Sequence, residues 1–194
     1  LLEVEDLNVT FKTPHRLVRA VRDISFTVGK EKVGIVGESG SGKSATGRAI
    51  LKLTPGNGTV SARKMRFEEL DLAGATEKDM LKVRGSRIGM ILQDPKFSLD
   101  PVMRVGDQIS EALPPGLDRK ESRARVMEVL EAVKIRNPER VYNLYPHECS
   151  GGMGQRIMIA MMLVPEPKLL IADEPTSARR RSAASAPAPA SSRS

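Results

Sequence analysis

An α/β fold is predicted for this chain by three observations. A short β-branched run at residues 33–36 (VGIV) opens into the glycine-rich stretch GESGSGKS; that stretch leads into helical spacing; and two further apolar runs, 88–92 and 169–172, end in polar or acidic residues. Strand, glycine loop and helix in that order form a unit that holds anionic phosphate, because backbone N–H groups and a helix N-terminus converge there.

Taken in order, residues 1–11 and 20–28 alternate apolar and polar and predict two strands of an antiparallel element, split by a turn at Pro14. Residues 33–36 predict a buried strand, and 43–53 a helix stopped by Pro55, Gly56 and Gly58. Thr76 starts a short helix, after which residues 88–92 form a strand delivering Gln93. Residues 105–113 and 119–133 are helical, the second opened by a capping box of Asp118 and Glu121, with Val126, Leu130 and Val133 on one face. With a short helical piece at 137–145, residues from about 100 to 148 read as an inserted helical lobe. Ser150 caps a further helix ending near Val164, and residues 169–172 are a strand. From Ala178 onward only Ala, Arg, Ser and Pro occur, so residues 178–194 are expected to be a disordered tail with nothing large to bury.

The composition bounds function. A chain of 194 residues with 40% apolar content can bury one sizeable core. The net charge of +7 falls to +3 without the four arginines of the tail, so the basicity is a local property and no nucleic-acid partner is expected. One cysteine, Cys149, excludes an internal disulfide, and no histidine cluster offers metal-ligand spacing. The longest apolar run, residues 157–164, is far short of the roughly 20 residues that span a membrane, and no secretory signal opens the chain. A role at a membrane would therefore require another chain to span it.

Four motifs carry the chemistry. GESGSGKS fits the phosphate-loop pattern G-x-x-x-x-G-K-[ST]. Its residues Gly37, Glu38, Ser39, Gly40, Ser41 and Gly42 offer backbone N–H groups to phosphate oxygens, Lys43 reaches the β- and γ-phosphates of ATP, and Ser44 holds Mg²⁺. In LLIADEP, adjacent acids at a strand end point to opposite faces: Asp173 suits the Mg²⁺ shell and Glu174 suits activation of the attacking water. Gln93 within LQDP reads alone as a solvated amide. CSGGMGQR, residues 149–156, is hard to explain as a bare turn so close to an ADE strand.

Together, in this order, the motifs resemble the ATP-binding subunit of an ATP-binding cassette (ABC) transporter. VGESGSGKS, RIGMILQDP, SLDPVMRVGDQI, YPHECSGGM and IAMMLVPEPKLLIADEPTSA read like the dipeptide/oligopeptide importer branch, with nickel importers sharing the wording. The resemblance covers residues 1–177 and implies an ABC-type core of the P-loop NTPase class with an N-terminal antiparallel β element and a helical lobe. It gives Gln93 a role at Mg²⁺ or the attacking water. It offers Phe11 a stacking role on adenine beside the core role its periodicity suggests. Ser150, Gly151, Gly152 and Gln155 would belong to the signature turn that faces the γ-phosphate bound by the opposite subunit. Cys149 and Gly154 depart from the usual leucine and arginine of LSGGMRQR.

Members of the family pair head to tail, act on transmembrane permease subunits at the cytoplasmic face of the membrane, and are served indirectly by an extracellular solute-binding protein. They also continue past the second acid with a D-loop, a strand between the two motif-bearing strands, and a switch histidine. Here Arg179 follows Ala178, and the two histidines, His15 and His147, both precede Asp173. The C-terminal part of the core is thus expected to be missing, the tail resembling a shifted reading frame or cloning-derived sequence. Two readings follow: an ATP-hydrolysing motor for import of peptides or a related small solute, or a truncated nucleotide-binding fragment with little or no turnover.

Overall fold

In the computed structural model, which describes residues 1–92 and 98–173, the alternating start of the chain forms β1 (Leu2–Lys12) and β2 (Leu17–Val28), paired antiparallel as expected. The inward residues of β1 are Leu2 and Val4, then Leu7 and Val9, so the alternation slips by one position. A bulge absorbs the slip. Asp6 takes φ 53°, the β1–β2 register shifts between Val4 and Leu7, and all four apolar residues still face the interior. The bulge is held by the Asp6 N–H donating to Ser25 Oγ (2.9 Å) and by Arg63 Nε donating to the Asp6 carboxylate (2.7 Å). The other side of β1 pairs antiparallel with β3 (Gly58–Ser61) and β4 (Lys64–Phe67), and β5 (Leu70–Asp71) pairs with β4.

Helix α1 (Lys43–Ile50) begins at the glycine loop. It stops before the expected residue 53 because Lys52 turns into a left-handed conformation, φ 52°, where the Arg84 guanidinium donates to the carbonyls of Leu51 (2.7 Å) and Lys52 (3.2 Å). Thr76 caps α2 (Glu77–Leu81) through a reciprocal capping box with Asp79. β6 (Ile88–Ile91) is buried along its length and pairs with β7 (Leu169–Ala172) in a separate two-stranded sheet. Glu68 ties the start of this sheet to the β4–β5 turn, accepting from Arg87 and from Lys168 Nζ (2.8 Å), and Arg87 lies over the Phe67 ring. These elements form one compact unit, Leu1–Met90 with Pro165–Asp173.

The expected buried strand at residues 33–36 is corrected. The segment carries no strand; Val33 is 47% exposed, Ile35 48% and Val36 97%. Among the described residues no strand lies beside it: the larger sheet runs β2-β1-β4-β5 with β3 on β1, and the smaller holds β6 and β7 alone. A β-branched sequence favours a strand only where a neighbour accepts its ladder and packs its side chains.

The second unit, within Ile91–Val164, is helical. It contains α3 (Val105–Glu111), α4 (Arg119–Ala132), α5 (Pro138–Tyr142), a 3₁₀ turn (Pro146–Glu148) and α6 (Gly151–Leu163). The Asp118–Glu121 box forms as expected, with Asp118 Oδ1 accepting from the Lys120 and Glu121 N–H groups and Glu121 accepting from that of Asp118. Val126 and Leu130 are fully buried, joined by Val105, Ile109, Ile157 and Ala160, while Val133 packs at the edge of this core. Gly106 admits the Tyr142 ring, with which any Cβ there would collide. The buried Gln108 side chain satisfies all its groups locally: it accepts from the Asp100 N–H and donates to the Asp100 and Met103 carbonyls, each at 2.9 Å.

Candidate phosphate site

The loop Gly37 to Gly42 is exposed up to Ser41 and turns at Ser39 and Gly40, and its shape depends on two glycines. Gly40 (φ 84°) and Gly42 (φ 94°) adopt left-handed conformations, and a Cβ on Gly42 would collide with the Ala20 carbonyl oxygen of β2. Gly42 is also the N-cap of α1, and no side chain caps that end, so its free N–H groups face the loop. Ser41 N–H closes the turn on the Glu38 carbonyl at 3.2 Å.

Lys43 lies in the first turn of α1 with its ammonium curled back over the loop, donating to the carbonyls of Gly37 (2.8 Å) and Glu38 (2.7 Å). A single positive charge is thereby held where phosphate oxygens would approach the loop. Ser44, the next residue, donates its hydroxyl to Asp173 Oδ1 at 2.7 Å, across 129 positions of sequence. Asp173 is 8% exposed at the end of β7. Close packing of α1 on the small sheet makes the bond possible: a Cβ on Gly47 would sit 3.1 Å from Ile171 Cγ2 and 3.4 Å from Met90 Cε. The two sequence-predicted halves of the site, GESGSGKS and the first acid of LLIADEP, are therefore in direct contact. Gln93 and Glu174 lie outside the described residues, as do residues 178–194, so their expected places carry no structural statement.

Sequence reasoning passed over two supports of this loop. Thr46, 1% exposed, donates its hydroxyl to the Gly42 carbonyl at 3.0 Å and fixes the first turn of α1. A threonine four residues after a glycine in a helix start is a local signal for such a bond. The Ala20 backbone, against which Gly42 packs, has no local signal at all. Phe11, at the end of β1, is half-buried opposite Gly58; a Cβ on that glycine would lie 2.8 Å from the ring.

In the helical unit, Ser150 occupies the N-cap position of α6 as expected, but its hydroxyl makes no capping bond. Gly151 and Gly152 are exposed, and a Cβ at either would meet nothing within 4 Å. Interior packing therefore does not require these glycines; what they provide is open access to the helix N-terminus. Gln155 lies half-buried one turn further along α6. Cys149 packs against the helical core, and its burial pushes the thiol pKa up, so it sits as a small apolar group in place of a larger one.

Among the described residues no group of three or more His, Cys, Asp or Glu side chains could hold a metal, and no helix is long and apolar enough to cross a membrane. The ABC transporter family model matches residues 21–177. The chain is similar to the oligopeptide transport ATP-binding protein OppD of Bacillus subtilis, 50% identical over 92% of this chain and 51% of the relative. It is 47% identical to OppD of Escherichia coli over 92% and 53%, and 46% identical to the dipeptide transport ATP-binding protein DppD of Haemophilus influenzae over 92% and 55%. The chain thus spans about half the length of the relatives it matches. Among solved structures, the ATP-binding cassette MJ0796 bound to ADP and Pi superimposes with a TM-score of 0.79 at 25% identity, covering 92% of this chain and 75% of that one. With its phosphate loop and acid-tipped strand joined as the geometry shows, the chain belongs to the ABC transporter family.

Proposed function

We propose that the chain is the nucleotide-binding part of a subunit that binds and hydrolyses ATP to power import of peptides or a related small solute. The observation that carries this reading is the Ser44–Asp173 bond at 2.7 Å beside the loop-facing Lys43. The loop N–H groups and the start of α1 receive the β- and γ-phosphates, and Lys43 neutralises their charge. Ser44 and Asp173 offer two hard oxygen donors, the set Mg²⁺ prefers when phosphates and waters complete its shell. With so few protein ligands described, the fit is to a metal that arrives with the nucleotide and supplies charge neutralisation there.

Gln93 and Glu174 are assigned to orienting and deprotonating the attacking water, and Phe11 to the adenine. Ser150, Gly151, Gly152 and Gln155 are assigned to the γ-phosphate of a nucleotide held by a second ABC subunit paired head to tail. The dimeric MJ0796 cassette supports that pairing, and the names of the oligopeptide and dipeptide relatives support the substrate class. The protein then works peripherally at the cytoplasmic face of the membrane on transmembrane permease subunits, with an extracellular solute-binding protein acting at one remove.

The test is an ATP titration of the chain and of Lys43→Ala. Loss of a point charge at the β- and γ-phosphates predicts a fall in affinity of at least about tenfold. Equal affinities would refute the site.

A further inference from the structure

Two facing pairs lie on one face of the β1–β3 ladder: Val9 opposite Val60, and Phe11 opposite Gly58. Val9 is fully buried, but the row ends at Phe11, which is only half-buried. The glycine across from Phe11 is required by space and not by conformation. Gly58 is not left-handed, yet a Cβ there would stand 2.4 Å from Thr54 Cγ2 and 2.8 Å from Phe11 Cε1. The ring edge and the Thr54 methyl therefore close together on the gap that Gly58 leaves. The turn that carries both residues is held on either side. At its end, the Lys12 N–H donates to the Asn57 carbonyl at 2.8 Å, Asn57 Nδ2 donates to the Lys12 carbonyl at 3.3 Å, and the Gly58 N–H closes on the Pro55 carbonyl at 2.8 Å. At its start, Arg84 holds the Leu51 and Lys52 carbonyls and is itself paired with Glu77.

We propose that Gly58 and Thr54 are positioning residues for the nucleobase, setting the orientation in which the Phe11 ring meets adenine. The inference rests on the reading of Phe11 as the adenine-stacking residue and adds the two residues that aim it. The outer torsion of a phenylalanine side chain is broad unless packing narrows it, and stacking on a base needs one defined ring plane. A ring fixed beforehand loses less freedom on binding, so the gain appears as affinity for the base. A facing Phe–Gly pair also supports a strand by covering bare backbone. That support alone gives no preference for a ligand that carries a base, and this separates the two roles. The turn also follows directly on α1, whose other end carries Lys43 and Ser44, so one helix links the phosphate loop to the residues that aim the ring.

The test is calorimetric titration of the full chain with ATP and, separately, with inorganic tripolyphosphate, which has the phosphates but no base. The quantity read is the ratio of the two affinities. Phe11→Ala is expected to lower that ratio at least about fivefold, the lower end of what removing one base–aromatic stack costs. Gly58→Ala, which pushes a methyl group against the ring, is expected to lower it at least about threefold while tripolyphosphate binding stays unchanged. Should Gly58→Ala fail to fold by circular dichroism, Thr54→Ser, which deletes only Cγ2, takes its place with an expected fall of about twofold. A ratio lowered by Phe11→Ala but unchanged in the Gly58 or stand-in Thr54 variant would overturn the proposal and leave the reading of Phe11 intact. Equal losses for ATP and tripolyphosphate in that variant would overturn it too, because the pair would then only support the strand. A ratio unchanged in Phe11→Ala would overturn the reading of Phe11 and the proposal with it.

Discussion

β1, which alternates apolar and polar residues, and the short β-branched run at residues 33–36 both read as strands, yet one is the spine of a sheet and the other lies open. β1 pairs along both sides and buries Leu2, Val4, Leu7 and Val9 to 2% exposure or less, whereas residues 33–36 carry no ladder and Val36 is 97% exposed. The difference does not lie in propensity. β1 meets partners from residues 17–28 and 58–67, while the edge beside residues 33–36 has no strand among the described residues. A strand is thus a property of its neighbours as much as of its own sequence.

The comparison breaks most readily by truncating side chains on its two sides. Leu7→Ala, at a fully buried position, is expected to cost about 2–5 kcal/mol in urea unfolding, and Val36→Ala no more than about 0.5 kcal/mol. Comparable losses at the two positions would mean that residues 33–36 are packed in solution. Next in size is Gly42→Ala, which forces a side chain into a left-handed position against the Ala20 carbonyl. Thermal melting should show a loss of about 1–3 kcal/mol, and ATP affinity should fall with it; an unchanged melt would show that the loop is not held against β2.

What could be read from sequence was what neighbours within a few residues decide. The Asp118–Glu121 box, the Thr76 helix start and the glycine loop are settled by side chains three to six positions apart, and all formed where expected. Long-range partners were not legible. The failure at residues 33–36, the room that Gly106 leaves for Tyr142 and the Gln108 network each depend on groups brought in by the fold. The Ser44–Asp173 contact is the exception, and it was legible because two motifs each specified the same ligand chemistry.

A smaller effect sharpens the paired side of the comparison. Where β1 meets β4, hydrogen bonds from Arg66 and then Lys64 hold the Glu3 carboxyl down from its ordinary 4.5 to about 2. A folded value below the unfolded one means a contribution fully present above about pH 4.5, lost as pH falls towards and through about 2. The pair is exposed, so the change is small. Glu3→Gln should flatten the decline of melting temperature across that window, and an identical decline in both proteins would show that the pair adds nothing.

Hydrogen exchange with and without ATP and Mg²⁺ tests the central claim most directly, that the glycine loop and the start of α1 form the phosphate site. The account predicts slower exchange on nucleotide addition at Gly40, Ser41, Gly42, Lys43 and Ser44, unchanged exchange along β1, and no such slowing in Lys43→Ala. Nucleotide-dependent protection absent from the loop, or equally strong in Lys43→Ala, would contradict it.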